Sequence, residues 1–532
     1  MTQTTIPYRG MKGVSRLFST YTTEYARLAD YYAGDWREKS SYEAVAQNLT
    51  TSPVDRQILV DVLEEQNFNW NNGTLASQLR DPDSLAVVTG QQVGIFGGPL
   101  YTLYKALSAV RLADRLTSVL SRPVIPVFWI EGGDHDLDEV RQISLVGRKI
   151  WYEGHRLPET GNLGSVGSLV FNAEIDRVRG ELMDQLPMTE FRDEVLGSYY
   201  SAYHQGNTFT DAFAQTLKSL LGSDSMVFMN PEDCRLKELI APLLRRELKE
   251  YATTHTALKA TSDALEEDYH AQVHVRPGNV FLLNESQREA LHPTGNGYSP
   301  QFSEEKIIPI DQIHEIPPCS LSPNVVMRPL VQDSLLPTVA YVAGPGEIAY
   351  FAQLKSLYTW AKRPMPIIFP RASLTIIEPR IAELMDRHDL AAEELGSEIP
   401  EIMRKRVLEG SELAQAFKKA GVMLDESADG LRPAVTEVDV TLQPSVEATL
   451  AQWKKALSKL QQRAERAEKR RHEQLRTQIE HCKEALYPNG NFQERELPAL
   501  YFLTKYGDSF LDQVRSRLNI DYCGEHQLMT LV

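Results

Sequence analysis

Residues 86–105 read AVVTGQQVGIFGGPLYTLYK, and how they are parsed decides the fold. An apolar run ends at Gly90-Gln91-Gln92, the chain passes Gly94, Gly97 and Gly98, and a helical pattern starts at Pro99. A structural strand-to-helix turn needs one or two glycines. Four are expected where a ligand must approach the backbone closely. Downstream, RPVIPVFWI (122–130) is a second apolar run. A strand over Leu85 to Thr89, a helix from about Pro99 to Leu120 and a strand ending at Ile130 make a βαβ unit. Such a unit implies a parallel sheet with a right-handed crossover.

The pattern returns at 338–370, TVAYVAGPGEIAYFAQLKSLYTWAKRPMPIIFP, as strand, Gly344-Pro345-Gly346 turn, helix and a strand through Ile368. Each unit reaches its second strand through Arg-Pro. Two glycine turns are thus expected at one carboxyl edge of an open sheet, where ligands usually bind. Residues 150–325 mix strand-like pieces (GSLVF, SMVFMN, NVFLLN, KIIPI) with helices near 210–221 and 232–268, and read as one or two insertions. The first 80 residues read as helical, with a helix start offered by Asn48 to Ser52 and a stop by Asn71-Asn72-Gly73.

After about residue 375 helix formers dominate. Leu450, Trp453, Leu457, Leu460, Ala464 and Ala467 make a heptad seam, which Leu475, Ile479, Cys482 and Leu486 resume after a four-residue shift. The seam predicts a long helix in a coiled coil, either within the chain against a helix over 378–420 or between subunits. Its basic run EKRRHEQLR reads as a solvated face.

The 532 residues are too many for one core and predict two to four structural units. A hydrophobic share of 42% and a charged share of 24% are those of a soluble globular protein. The net charge of -16 argues against a broad nucleic-acid-binding face while allowing a local basic pocket. No apolar run approaches the roughly 18 residues of a membrane span, and MTQTTIPYRG lacks a signal-peptide layout. Cys234, Cys319, Cys482 and Cys523 lie far apart without a CxxC, which reads as reduced cytoplasmic thiols with neither a disulfide framework nor a structural zinc site.

Three clusters could carry chemistry. The first takes Gly90, Gln91, Gln92, Gly94, Gly97, Pro99, Tyr101 and Lys105. N–H groups at a helix start suit an anion, and glutamine amides suit ribose, carboxylate or amide recognition. Lys105, two turns into the helix, has a solvated reading as well. The loop matches neither GxGxxG nor the Walker pattern. The second cluster, WIEGGDHDLDEV (129–140), crowds Asp134, His135, Asp136, Asp138 and Glu139 behind two glycines at a strand end. So many acids beside one histidine call for a metal such as Mg²⁺, another cation or a substrate amine; the bland alternative is an acid-rich helix N-terminus. The third joins Asn324, Arg328, Gln332 and Asp333 to Gly344, Gly346, Glu347 and Arg371. Arg328 suits a carboxylate or phosphate clamp, and Glu347 doubles as an ordinary first-turn acid. No GxSxG or HExxH appears, so serine-hydrolase and zinc-protease readings have no foothold.

VVTGQQVGIFGGPLYTLYKAL, FWIEGGDHDLDEV, MRPLVQDSLLPTVAYVAGPGEIAYFAQL, MPIIFPRASLT and LYPNGNFQERELPALYFLTKYG together resemble the BshC family, named for the cysteine-ligase step of bacillithiol synthesis. The resemblance covers nearly the whole chain in order, with one departure. The acid expected just before Asp-His-Asp is here Gly133, and Glu131 lies two residues earlier. The resemblance implies an α/β fold, a Rossmann-like core with two inserted connecting peptides akin to class I aminoacyl-tRNA synthetases, and a C-terminal α-helical coiled coil that makes a homodimer. The division expected is 1–155 and 306–377 for the core, 156–305 for the insertions, 378–490 for the coiled coil and 491–532 for a segment packing back on the core.

The implied reaction joins the carboxyl group of cysteine to the amine of glucosaminyl-malate. An unactivated carboxylate does not condense with an amine in water, so ATP or ADP with Mg²⁺ is the expected cofactor set, with no redox cofactor. On this reading Gly94, Gly97 and the Pro99 helix start hold phosphate or malate carboxylates, and His135 stabilises developing charge. Asp134 and Asp136 take a metal or the amine, while Arg328 and Arg371 clamp an anion. Two other readings compete: a metal-dependent hydrolase centred on Asp134, His135 and Asp136, and a nucleotide-binding dimeric scaffold that does not react.

Overall fold

Leu85, Ala86, Val87 and Val88 are wholly buried, as a parallel strand covered on both faces must be. A computed structural model describes the chain except residues 1–3, 50–53, 71, 158–162, 223–224, 285–286, 303–305 and 409–412. In it the strand runs Leu85–Gln92 and lies at the centre of a five-stranded sheet. The order across the sheet is Ile367–Pro370, Thr338–Ala343, Leu85–Gln92, Val124–Glu131 and Val227–Met229, with every pair parallel. The two units read from the sequence are therefore neighbours in one Rossmann-like sheet. From the central strand the chain moves to Val124–Glu131 on one side, and Thr338–Ala343 lies on the other. The two carboxyl ends so flank a topological switch point.

The central strand is longer than expected. Gly90, Gln91 and Gln92 stay in the ladder, opposite Trp129, Ile130 and Glu131, so the glutamines belong to the strand. The helix Leu100–Leu120 then packs Leu103, Ala106, Leu112 and Ala113 onto the sheet and stops at Ser121, which adopts a left-handed conformation.

The insertions differ in detail from the sequence reading. GSLVF is not a strand: Val166–Ser168 is a short 3-10 turn and Val170 makes an isolated bridge to Thr208. SMVFMN supplies the fifth core strand. The strands Val280–Leu283, Arg288–Pro293, Gly297–Pro300, Ile308–Pro309 and Leu321–Pro323 form a separate antiparallel sheet. At the N-terminus, Thr4–Pro7 is a strand, contrary to the all-helical reading, because Glu525–Thr530 and Ser373–Ile377 offer it a sheet edge. The helix expected to start at Asn48 to Ser52 begins at Arg56, with the Asp55 carboxylate accepting from Gln57 N–H. Residues 50–52 of that expected start lie outside the described residues.

Cys234 and Cys319 are joined in a disulfide, which corrects the reading of four reduced thiols. The pair lies 85 residues apart, beyond the reach of any local spacing rule, and the fold brings its Cα atoms to 5.0 Å. Cys482 and Cys523 are buried free thiols. A cross-link over a loop of this length adds about 4–5 kcal/mol in the chain-entropy account. Reduction, or Cys319→Ser, should therefore lower the urea midpoint, and peptide mapping without reductant should recover a linked 234–319 pair. Free thiols at both positions in the native protein would refute the cross-link.

Glu378–Gly490 is a second compact unit, and Met1–Ile377 with Asn491–Val532 make the first. Within the second unit the helix Gln443–Leu486 runs against Leu413–Val438, with ion pairs Arg432–Glu447 and Lys454–Asp425, both at 2.6 Å. The coiled coil is thus intramolecular at this level. Leu450, Ile479, Cys482 and Leu486 are buried, whereas Trp453 and Leu460 are 39% and 58% exposed, so the middle of the seam is uncovered. The side chains of residues 468–471 in the basic run lie outside the described ones. Among the described residues no helix is long and apolar enough to cross a membrane.

Candidate active site

Above the carboxyl ends of the core strands lies a cavity of about 730 Å³. Gly90, Gln91 and Gln92 reach it from the central strand, Glu131 and Asp134 from its neighbour, and Gly344, Gly346 and Glu347 from the other side. The insertion sheet and the loop before it close the far wall through Val273, Val280, Phe281 and Arg288. Three sequence-distant clusters thus meet in one place.

Gly90, Gln91, Gln92, Tyr101 and Lys105 of the first cluster line the cavity. A Cβ on Gly90 would stand 2.8 Å from the Trp129 carbonyl oxygen, so glycine there lets the two strands close. Gly97 and Gly98 have φ of +85° and +69°, the left-handed region that a tight turn demands. The Gly97 N–H donates to the Tyr203 hydroxyl at 3.0 Å, and the Leu100 N–H donates to the Leu497 carbonyl at 2.8 Å. Pro99 is bridged to Pro498. Gly94, Gly97 and Pro99 therefore lie outside the cavity, and the chain itself occupies the helix start that was read as an anion site. Gly90 and Gly94 answer backbone crowding, and Gly97 and Gly98 a left-handed turn.

Lys105 is the centre of the site and is not solvated. It is 4% exposed. Its Nζ donates to the Gly90 carbonyl at 2.8 Å and to Gln91 Oε1 at 3.1 Å, and pairs with Glu347 Oε2 at 2.6 Å. Glu347 also accepts from the Gly344 N–H at 2.7 Å and the Tyr341 hydroxyl at 2.6 Å. Burial pushes the Glu347 carboxyl up, but Lys105 and these donors outweigh it and hold it below the usual range. One lysine so ties the first strand end to the second glycine turn.

Arg328 opens the helix Arg328–Leu335 and is half-buried beside Tyr341 and Tyr350. Its Nη1 donates to Gln332 Oε1 at 3.2 Å, its Nη2 to the Tyr350 hydroxyl at 2.9 Å, and its Nε lies 4.0 Å from Glu131 Oε2. Gln332, wholly buried, lies behind Arg328 and not on the cavity wall. Asn324 faces the cavity, with its side chain accepting from the N–H groups of Val326 and Met327 and donating to Asn279. Asp333 is held by Tyr358 and Gln332, and burial pushes it up to about 6.

At the acidic strand end, Asp134 accepts from Gln92 Nε2 at 3.0 Å, the His135 N–H at 2.7 Å and Arg288 Nη1 at 3.3 Å. Burial opposes its ionisation, yet His135 and Arg288 together hold it well below the carboxylate range. His135 stands at the edge with its Nδ1 3.2 Å from Arg288 Nη1. Asp136 is exposed and turned to the Glu139 N–H as a helix cap, so it and Asp134 do not share a ligand. Among the described residues no three His, Cys, Asp or Glu side chains group to hold a metal ion. Arg371 lines the cavity and its guanidinium lies over the Tyr101 ring, but Nη1 and Nη2 are both committed to Glu494 at 2.9 and 2.6 Å.

The sequence reading missed Arg288, Tyr341, Tyr350, Arg276 and Arg495. Arg288 arrives on an inserted strand, donates to Ser322 and the Pro323 carbonyl, and stacks over Phe281 at 4.2 Å. No local signal marks it. Arg276 and Arg495 are exposed at the cavity wall, and among the described residues they add positive charge to a wall whose Lys105, Arg288 and Arg371 are paired with Glu347, Asp134 and Glu494. The field in the cavity favours an anion. Gly133 is also explained. A Cβ there would meet Glu232 Oε1 at 2.4 Å and Glu131 Oε1 at 3.4 Å, so Glu131 brings a carboxylate next to the position where an acid was expected.

Two family models match this chain. Residues 1–372 match the N-terminal Rossmann-like domain of bacillithiol biosynthesis BshC, and residues 374–531 match its C-terminal coiled-coil domain. A Salinibacter ruber protein named "Putative cysteine ligase BshC" is 37% identical over 527 residues, covering 96% of each chain. Proteins of the same name from Chlorobaculum tepidum and Prosthecochloris aestuarii are 34% and 31% identical, covering 94% and 98% of this chain and 94% and 97% of their own. A solved structure from Campylobacter jejuni, titled as an arginyl-tRNA synthetase, aligns at 11% identity and a TM-score of 0.22, and that likeness carries nothing.

Proposed function

The chain belongs to the BshC family of bacillithiol biosynthesis, and from that premise we propose that it is a ligase joining the carboxyl group of cysteine to the amine of glucosaminyl-malate. The observation that carries this reading is the chain of contacts Glu131–Arg328–Tyr341–Glu347–Lys105, buried at Tyr341 and Lys105 and half-buried elsewhere, along the wall of a cationic cavity. Ion pairs within the wall fix the positions of charged groups before substrate arrives, which is what acyl transfer needs. The surplus cations suit a dicarboxylate and a phosphate.

ATP with Mg²⁺ fits as the activating cofactor. Arg276 and Arg495 would meet its phosphates, and Mg²⁺ would enter with them, since among the described residues no carboxylate cluster is grouped to hold the ion. When bound, ATP supplies a leaving group for the cysteine carboxylate. Gln91 and Gln92, already oriented by Lys105 and Asp134, recognise substrate amide or hydroxyl groups. Arg328 steadies an anion. Asp134 and His135 hold Arg288 in place against Phe281.

The test is to incubate the protein with glucosaminyl-malate, cysteine, ATP and Mg²⁺ and to follow amide product by mass spectrometry. Hydrolysis of glucosaminyl-malate without cysteine would instead favour the metal-hydrolase reading, and binding of ATP without any product the scaffold reading.

The protein is further proposed to be a homodimer through the open middle of the seam at Trp453 and Leu460. Leu460→Glu should convert a dimer to a monomer in light scattering at unchanged helix content. A dimer that survives the change would place the contact elsewhere.

A further inference from the structure

Amide formation from an amine has a proton requirement that the ion pairs described so far do not meet. The acceptor amine enters as an ammonium and cannot attack until it loses a proton. A general base needs a carboxylate at the cavity with an oxygen that no donor already occupies.

Among the described residues four carboxylates line the cavity. Asp134 is occupied by Gln92, Arg288 and the His135 N–H, and Glu347 by Lys105, Tyr341 and the Gly344 N–H. Both are held below the usual carboxylate range and are poor proton acceptors. Glu139 is exposed at the rim. Glu131 differs from all three. Its Oε2 accepts from Trp129 Nε1 at 2.9 Å and lies 4.0 Å from Arg328, while its Oε1 takes no hydrogen bond from the described residues. It ends the Val124–Glu131 strand, so its backbone is fixed in the ladder opposite Gln92. Gly132 and Gly133 follow it, and the Glu232 carboxylate packs where a side chain at 133 would stand, so a second acid lies near Oε1 and favours a cation there.

We propose that Glu131 receives the acceptor amine, its free Oε1 pairing first with the ammonium and then taking the proton that must leave before attack. This rests on the ligase reading above. The nitrogen lone pair forms the C–N bond as the acyl C–O bond to a phosphoryl group breaks. The first proton resides on Glu131, and the second, carried by nitrogen after attack, leaves with the departing phosphate oxygen. Burial, helped by Asp134 and Glu232 and opposed by Arg328 and Trp129, raises the Glu131 pKa above that of an ordinary glutamate and so toward a useful base. Below that pKa the group is protonated and cannot accept, so the rate falls on the acid side.

Glu131→Gln keeps the Trp129 contact and the shape. It should lower the turnover number about 10²–10⁴-fold and abolish the acid limb of the pH–rate profile, with Glu131→Asp restoring part of both. A binding measurement needs no turnover: by calorimetry the wild type should bind glucosaminyl-malate more tightly than its N-acetyl derivative, and Glu131→Gln should bind the two alike. Undiminished turnover with an intact acid limb in Glu131→Gln would overturn the assignment while leaving the ligase reading standing. If the wild type makes no amide, the ligase reading fails and calorimetry alone decides on Glu131. An amine preference that survives in Glu131→Gln overturns the proposal in either case.

Discussion

Glu494→Gln should destabilise the protein by about 3–5 kcal/mol, the effect of removing one member of a fully buried ion pair. Arg371 and Glu494 are each 5% exposed and joined by two hydrogen bonds, and Glu494 also accepts from the Ser373 hydroxyl and the Leu374 N–H. The amide of glutamine would leave the Arg371 guanidinium buried without a counter-charge. Burial alone would raise the Glu494 pKa, but Arg371 overrides it and the folded-state pKa is depressed. Stability from this group is therefore present above its unfolded pKa and lost as pH falls through the folded one. Urea midpoints against pH should show that acid-side loss in the wild type and a flatter profile in the variant. Arg371→Met combined with Glu494→Leu should recover part of the loss, because no lone charge remains. A loss under about 1 kcal/mol for Glu494→Gln would mean that the pair is hydrated.

Lys105→Met should lower kcat/KM by about 10²-fold or more, the largest effect expected of a residue that need not touch a reacting atom. Its ammonium bridges the Gly90 carbonyl, Gln91 and Glu347, so its loss releases both glycine turns at once. Burial pulls the lysine pKa down and Glu347 works against that shift, so the pair is stable only while both are present. Lys105→Met should leave Glu347 uncompensated, and adding Glu347→Gln should restore stability without restoring activity. Lys105→Arg should not substitute, since the pocket around Nζ offers three fixed acceptors to a compact cation. Wild-type turnover in Lys105→Met would show that the two turns act separately.

The parallel core was legible because hydrophobic run, glycine turn and Arg-Pro recur in two places, and the strands at 85–92 and 338–343 do lie side by side. The reading of the glycines was not, because a glycine that lets Trp129 approach looks the same in sequence as one that admits a ligand. Lys105 could not be told from a surface lysine until the partner turn carrying Glu347, more than 240 residues on, was placed beside it. Arg288, Tyr350 and the Cys234–Cys319 link share that cause: each acts through a neighbour distant along the chain. The cluster at 134–136 was seen as one unit, yet its first two members face Arg288 and the third caps a helix. Adjacency in sequence does not put alternate side chains on one wall.

The most direct test of the account uses cysteine labelled with ¹⁸O in its carboxyl group, supplied with glucosaminyl-malate, ATP and Mg²⁺. A ligase that activates this carboxylate on ATP should form the amide and move one ¹⁸O into the phosphate of AMP, or into free phosphate with ADP. No amide, or amide formed with no label in any phosphate, would contradict it.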